Sequence, residues 1–425
     1  MAGVKKSKKT GKKHPIIIIG GGPAGMTAAE SAVQHFKDVI LFDKNPQPGK
    51  KLLSLPGDPV FISEELSVDK MAKAFGEKEN FIKPALKAFG WKDVVNHFNE
   101  MGIKLTSNSS SHLTISPELV PELPSRLKDD AESKGVVVRK SSRVSDILIT
   151  NNEVTGVIVN SVEYPASAVV IASGSFSSPG RGSTRDGYEF AMKAGHTIIP
   201  IRPALVGLET IEKYGKYLAD AEFVDCAIDI YLESTKAISD RGSLKFTKFG
   251  IEGELVLTHS AQIIDLLKKG KVEIHIDMVP GMDKKELENW LHQQLIAAPK
   301  MTAGEMLEKY IPLKLRNVMS KIMRIHSDKP VANLSHLERK SLLLWLKDFH
   351  VTVMRARPFN ETRGVLGGVS TEEIERETMQ SKLIKNLFFA GEVLDLLGPW
   401  GGYNIQMAFS TGHLAGLSAA KMMTD

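Results

Sequence analysis

Ile16-Ile17-Ile18-Ile19 runs directly into Gly20-Gly21-Gly22-Pro23-Ala24-Gly25, and this junction constrains the fold more than any other stretch. Four β-branched residues bounded by glycine are too few for a buried helix and read as a fully buried strand. A helix is predicted from Pro23 to about His35. The Gly20-x-Gly22-x-x-Gly25 spacing supplies a tight turn, lets backbone approach a pyrophosphate and packs helix against strand, with phosphate at the helix N-terminus. Val39-Ile40-Leu41-Phe42 reads as a second strand, and Asp43 follows it 18 residues past Gly25. That is close to the spacing at which an acid accepts hydrogen bonds from a ribose. Strand, turn, helix, strand and acid in this order predict a dinucleotide site.

The far end of the chain repeats the theme. Leu387-Phe388-Phe389-Ala390-Gly391-Glu392 is strand into glycine into acid, and Gly401-Gly402-Tyr403-Asn404 opens a helix expected to reach about Ala420. Amides at that helix start suit the electron-rich carbonyl edge of a flavin, because the positive end of the dipole stabilises the charge of a reduced ring. Ala168 to Ala172 reads as another buried strand ending at Ser173-Gly174. In a doubly wound sheet those residues face the same crevice as Gly22. The two termini are thus expected to build one FAD site.

With 425 residues, 42% hydrophobic and 25% charged, the chain is long enough for two or three domains. Residues 1–13 form a basic leader expected to be disordered. Lys5, Lys6, Lys8, Lys9, Lys12 and Lys13 by themselves exceed the net charge of +5; a nucleic-acid contact through them is the minor reading and a solvated leader the favoured one. The isoleucines after the leader are stopped by glycine, so no export segment is read there. Ala2 excludes N-myristoylation, and no apolar run approaches 18 residues, so no span is predicted. Cys226 is the one cysteine, which rules out a dithiol reductase and thiolate clusters. No HxxxH or HExxH pair suggests a metal.

Between the termini, 80–101 and 117–134 carry helical patterns, Val136 to Val138 reads as a strand, and 144–149 with 154–159 as a hairpin across Asn151-Asn152. Short strands are expected at 205–208, 223–232, 244–246, 254–257 and 272–276, and helices over 283–349. The predicted organisation is a first part of the FAD-binding domain at 14–196, an inserted domain at 197–355 (β-rich over 197–280, helical over 281–349), and the rest of the FAD-binding domain at 356–425.

These residues resemble the bacterial and archaeal NAD(P)/FAD-dependent oxidoreductases of the aminoacetone-oxidase-like or 3-dehydro-bile-acid-reductase-like kind, over nearly the whole chain. The resemblance rests on Gly20 to Gly25, Asp43-Lys44-Asn45, Gly49-Lys50-Lys51-Leu52-Leu53, Phe249-Gly250-Ile251 before Glu254, Gly367-Gly368-Val369, Met379-x-Ser381-Lys382-Leu383, and Phe389 to Asp395 through Gly401 to Gln406. It implies an α/β fold with a glutathione-reductase-like FAD-binding Rossmann domain and an inserted β-rich plus helical domain. It further implies Asp43 on the adenosine ribose, Gly22 to Gly25 at the pyrophosphate, and Glu392 and Asn404 near the ribityl chain and flavin. The expected cofactor-binding set is Gly20, Gly22, Pro23, Ala24, Gly25, Asp43, Lys44, Lys51, Ser173, Gly174, Gly391, Glu392, Gly401, Gly402, Tyr403 and Asn404.

Members commonly carry a glycine-rich stretch ending Arg-Cys-Asn after Lys-Lys-Leu-Leu, and a Cys before the second Gly-Gly. Here Ser54 to Pro59 and Trp400 stand in those places. The expected function is flavin hydride or electron transfer on a small organic substrate in the cytoplasm, with NAD(P)H as co-substrate and no nucleic acid. A flavin-binding protein with lost catalysis is the rival; an NAD-dependent dehydrogenase would leave the C-terminal motif unexplained. No catalytic residue is assigned. Tyr403, His259 and His413 are candidates for moving a proton, although a lone histidine is more often structural.

Overall fold

The computed structural model describes residues 13–53, 61–107, 112–177, 182–308 and 310–424. The chain divides into two compact units, Met1–Arg202 with Val365–Asp425, and Pro203–Gly364. The basic leader, apart from Lys13, and the Ser54–Pro59 departure lie outside the described residues.

The first unit is organised by Ile16–Ile19, whose four residues are all buried. Strands covered on both faces need apolar side chains at every position, and this run provides them. It pairs in parallel with Val39–Phe42 on one side and Ala168–Ile171 on the other. Val137–Arg139 extends the first side in parallel, and Leu387–Phe389 the second. The full order is thus 387–389, 168–171, 16–19, 39–42, 137–139, with two antiparallel strands, Ile374–Glu375 and Gln380–Ser381, completing the edge beyond 387–389. Winding reverses between Ile16–Ile19 and Ala168–Ile171, and the carboxyl ends of these two strands define the crevice where such sheets bind ligands.

Two helices cross beside that crevice, Pro23–Val33 and Tyr403–Thr424. Their seam is built from small residues. A Cβ on Gly412 would stand 2.2 Å from the Ala24 carbonyl oxygen, and one on Gly416 2.0 Å from that of Ala28. Only glycine permits so close an approach, which ties the two helices to each other.

Some local expectations need correction. The pattern over 80–101 is two helices, Glu79–Ala88 and Trp91–Glu100, because Phe89 turns extended and Gly90 caps the second helix, with its N–H bonded to Asp93. Residues 117–122 form a 3₁₀ segment ahead of the α-helix Leu123–Ser133; prolines at 121 and 124 withhold the amides a continuous α-helix needs. The hairpin expected across Asn151-Asn152 does form, as Val144–Thr150 against Glu153–Val159, with both asparagines at positive φ, 53° and 57°. That is the turn conformation asparagine tolerates best.

The second unit holds a closed six-stranded barrel in the order Leu208–Thr210, Gly250–Glu252, Thr235–Phe246, Glu222–Leu232, Val272–Asp277, Phe349–Ala356. Alternate residues such as Ile228, Ile230, Ile274 and Ile276 fill its core. Residues 254–257, expected as a strand, begin the helix Glu254–Leu267. Short apolar runs do not separate strand from buried helix, and Gly253 at φ 100° starts a new direction there. Helices Lys284–Ala297, Leu313–Ile322 and His336–Lys347 follow. Cys226 is buried, donates to the Gly242 carbonyl at 3.5 Å, and burial pushes its thiol up to about 12.

Candidate functional site

The glycine turn divides its residues into those that pack and those that face open space. Gly20 (φ 105°) lies against Ala172, whose carbonyl oxygen would be 2.5 Å from a Cβ, and a Cβ on Gly25 would stand 1.8 Å from the Gly20 oxygen. These two are closed by protein. Around Gly22, and around Gly174 (φ 73°) at the end of the neighbouring strand, a Cβ would meet nothing within 4 Å. The helix starting at Pro23 has Gly22 as N-cap, no side-chain cap and no acid in its first turn. Its positive end and unbonded amides thus adjoin open space, the arrangement that receives a phosphate.

Asp43 is buried; its Oδ2 accepts from Gly21 N–H and its Oδ1 from Asn45 N–H, both at 2.7 Å. The carboxylate braces the glycine turn, and each oxygen keeps a lone pair for a ribose hydroxyl. Lys44 reaches Thr184 Oγ1 at 2.5 Å, and burial lowers its pKa against the pull of Asp186 and Asp43. Lys51 ion-pairs with Glu392 and donates to Ser175 Oγ at 3.2 Å; Ser175 in turn donates to Glu392 at 3.0 Å. This network joins the segment after the second strand to the C-terminal glutamate motif. Ser173 Oγ is buried without a hydrogen-bond partner. Gly391 (φ 74°) donates its N–H to Thr411 Oγ1 at 2.9 Å.

At the second helix start, Gly401 (φ 122°) and Gly402 (φ 105°) back onto a small sheet: a Cβ would fall 2.7 Å from His112 Nε2 in the first case and 2.9 Å from the Ser63 nitrogen in the second. Asn404 closes its own loop, accepting from Gly398 N–H at 2.8 Å and donating to the Gly398 and Pro399 carbonyls at 3.0 and 3.3 Å. Tyr403 opens the helix with its ring edge-on to Phe75.

The structure therefore gathers the predicted residues into three groups: Gly20 to Gly25 with Ser173 and Gly174; Asp43 and Lys44; and Lys51, Gly391 and Glu392, with Gly401 to Asn404 at the second helix start. His259 lies in the other unit, hydrogen-bonded to Asp240 at 2.7 Å. His413 sits midway along the last helix, bonded to Ser31 at 2.9 Å and stacked on Phe89, which is a packing role. Ser175, Tyr188 and His112 were not anticipated. Tyr188 accepts from Phe176 N–H at 3.3 Å, and burial pushes its hydroxyl up to about 12. A serine-rich run after the Ala168 strand was the only sequence hint of Ser175; His112 had none. Glu30, His97 and Asp130 bring ligand atoms within 4.8 Å of one another, and the Lys134 ammonium stands among them, 3.0 Å from Glu30 and 2.7 Å from Asp130.

A parallel sheet with its crevice at the reversal point and two glycine-led helix starts defines a Rossmann-fold protein of the FAD- or NAD(P)-binding oxidoreductase superfamily. Residues 14–418 match the family model described as "HI0933-like protein Rossmann domain", and the chain belongs to that family, one of flavin-dependent oxidoreductases. It is 27% identical over 409 residues to a 3-dehydro-bile acid delta(4,6)-reductase of Clostridium scindens, covering 95% of this chain and 98% of that protein. It is 29% identical over 408 residues to a ribosomal RNA dihydrouridine synthase of Haemophilus influenzae, with the same coverage. Among solved structures it is similar in fold to a point mutant of the E. coli quinol fumarate reductase FrdA, with a TM-score of 0.53, 13% identity, and coverage of 97% of this chain and 71% of that one. A 3-ketosteroid delta1-dehydrogenase of Sterolibacterium denitrificans gives a TM-score of 0.50 at 13% identity, covering 97% and 100%. Among the described residues no helix is long and apolar enough to cross a membrane.

Proposed function

We propose that this protein is an FAD-dependent reductase, working in the cytoplasm, that saturates a carbon–carbon double bond conjugated to a carbonyl in a small organic substrate, with NAD(P)H as electron donor. The observation that carries the cofactor is the pair of closed glycines, Gly20 and Gly25, around an open Gly22 at an uncapped helix start. This is a cradle that a side chain would fill. The reaction type is supported by the names of the two kinds of relative, each of which describes addition of hydrogen across such a bond.

In this reading the first-turn amides after Gly22 bind the pyrophosphate and Asp43 holds the adenosine ribose. Lys51, Ser175 and Glu392 orient the ribityl chain, and the amides of Gly402 and Tyr403 face the flavin's carbonyl edge. A bound flavin supplies the hydride. Glu392 is kept charged-neutral in sum by Lys51, so a polyol is held by hydrogen bonds without adding net charge beside the pyrophosphate.

A second substrate reading, a uridine within RNA, is favoured by two relatives named ribosomal RNA dihydrouridine synthases, at 29% and 28% identity. The test is the visible spectrum of the purified protein, followed anaerobically with NADH and then NADPH, with a 4-en-3-one steroid or a uridine-containing RNA added to the reduced protein. Bleaching by a nicotinamide and recolouring by the steroid supports the first reading; recolouring by RNA alone replaces it with the second. Flavin that no donor bleaches supports a protein with lost catalysis, and no flavin bands even after FAD addition would sink the proposal.

A further inference from the structure

The turn Phe249-Gly250-Ile251 takes no part in the cofactor site, yet in the second unit it holds an aromatic ring out to solvent. Phe249 is 54% exposed while its backbone is fixed: its N–H donates to Thr247 Oγ1 at 3.3 Å and its carbonyl accepts from Thr210 N–H at 3.2 Å. The Arg357 guanidinium backs the ring 3.8 Å from its centroid, and is itself held by Glu209 at 2.7 Å and Glu361 at 2.9 and 2.6 Å. Unpaired cations surround this ledge. Three segments without an acid, 213–219, 241–251 and 309–327, are joined there. A Cβ on Gly215 would stand 2.4 and 2.6 Å from the Thr247 and Lys248 carbonyl oxygens, and Lys314 donates to the Ala219 carbonyl at 2.9 Å. Lys321 and Lys216 lie 5.0 and 5.8 Å from the ring of the exposed Tyr217. Lys213, Lys216, Lys248 and Lys321 are all exposed, and among the described residues none has a carboxylate within ion-pair distance. Asp220, at the border, is engaged by Lys314 at 3.3 Å.

We infer that this face of the second unit binds single-stranded nucleic acid, with a base stacked on Phe249 and phosphates on the lysines around it. Cations that track a backbone, set beside an exposed aromatic ring that accepts any base, are the two parts such binding needs. An acidic peptide would match the charge and leave the ring without a flat partner. The inference departs from the expectation of no nucleic acid, goes beyond the small-substrate reading, and holds whichever molecule accepts the hydride.

The test is the fluorescence anisotropy of a labelled oligouridine of about twelve nucleotides, titrated with the full chain between about 50 and 200 mM salt. Lys216→Gln combined with Lys321→Gln is expected to flatten the slope of log affinity against log salt by about 1.4, at about 0.7 per phosphate contact. Phe249→Leu keeps an apolar side chain on Arg357 and removes the flat face; it is expected to weaken binding about tenfold at an unchanged slope. The split between slope and affinity separates charge from stacking, and the lysine pair, at exposed positions, keeps the inference refutable should Phe249→Leu not fold. Affinity and slope unchanged in these variants would overturn it, as would binding that disappears only when residues 1–12 are removed, which would place the contact on the basic leader. An unaltered protein that does not bind the RNA at about 50 mM salt overturns it too, and binding to phosphatidylserine vesicles in place of RNA would give the face to a membrane. No flavin enters the titration, so this inference and the FAD reading fail separately.

Discussion

Glu30, on the helix that begins at the phosphate cradle, should reveal a pair of opposing pH dependences when its neighbour is examined without it. Burial raises the Glu30 carboxyl from 4.5 to about 7 against the pull of Lys134, and burial together with the Lys134 charge lowers His97 from 6.5 to about 4. Glu30 Oε1 and His97 Nε2 are buried without partners, and the loss of solvent around each charged form outweighs what the oppositely charged neighbours, Lys134 for Glu30 and Asp130 for His97, return. Each displacement is worth on the order of 3 kcal/mol. The signs differ. Between 4.5 and 7 the folded protein holds the Glu30 proton more tightly than the unfolded chain, so this group's contribution is present at low pH and lost as pH rises through 7. Between 4 and 6.5 the unfolded chain binds the His97 proton more tightly, so that contribution is present above 6.5 and lost as pH falls toward 4. Over the shared window the slopes cancel, and the stability contributed by this cluster is nearly flat. Glu30→Gln unmasks His97: stability should fall by about 2–3 kcal/mol from pH 6.5 to 4.5. His97→Gln should fall by a similar amount in the opposite direction, from pH 4.5 to 7. The assay is urea unfolding at each pH, read by hydrogen-exchange protection of the Pro23–Val33 amides so that the unit holding the cluster is reported separately. A Glu30→Gln profile parallel to that of the unaltered protein would refute the reasoning.

Gly416→Ala should lower stability by about 1–3 kcal/mol, because its Cβ would lie 2.0 Å from the Ala28 oxygen and the two helices must move apart by more than about 1 Å; an unchanged urea midpoint would contradict the seam. Asp43→Ala strands the buried N–H of Gly21 and removes the acceptor of the half-buried Asn45 N–H, and should cost about 1–3 kcal/mol, seen as a lower unfolding midpoint together with weaker FAD binding. Lys51→Met leaves Glu392 without its cation and should weaken FAD at least about tenfold in a fluorescence titration, since hydrogen bonds to charged groups are the stronger kind; an unchanged affinity would remove Lys51 from the site.

The elements legible in the sequence are those whose chemistry leaves one option. Four isoleucines ending in glycine can hardly be other than a buried strand, and Asn151-Asn152 between alternating runs can hardly be other than a tight hairpin. The 254–257 segment misled because Glu-Leu-Val-Leu has no period of its own, and the tertiary contacts of a 14-residue helix decided it. The motifs behind the family resemblance also turn out to hold backbone together. Ser381 Oγ accepts from Leu383 and Ile384 N–H at 3.1 and 2.8 Å and bonds His196 Nε2 at 2.7 Å, while Gly367 N–H donates to Asp395 at 3.0 Å. The Lys51–Ser175–Glu392 network was only half legible, because spacing along a chain does not report which of several loop residues meet after the sheet is wound. His112 was illegible: nothing in its strand marks that it will lie against a glycine 289 positions away.

The most direct test of the account is FAD binding to Gly22→Val beside the unaltered protein. Gly22 has ordinary extended backbone (φ −80°, ψ −178°) and open space where a side chain would go, so valine should leave the fold intact, at a cost of about 1 kcal/mol for a poorer N-cap, while filling the cradle. Stoichiometric FAD is expected on the unaltered protein, and a loss of affinity of a hundredfold or more, on the order of 3 kcal/mol, in a normally folded Gly22→Val. FAD bound equally tightly by both proteins would contradict it.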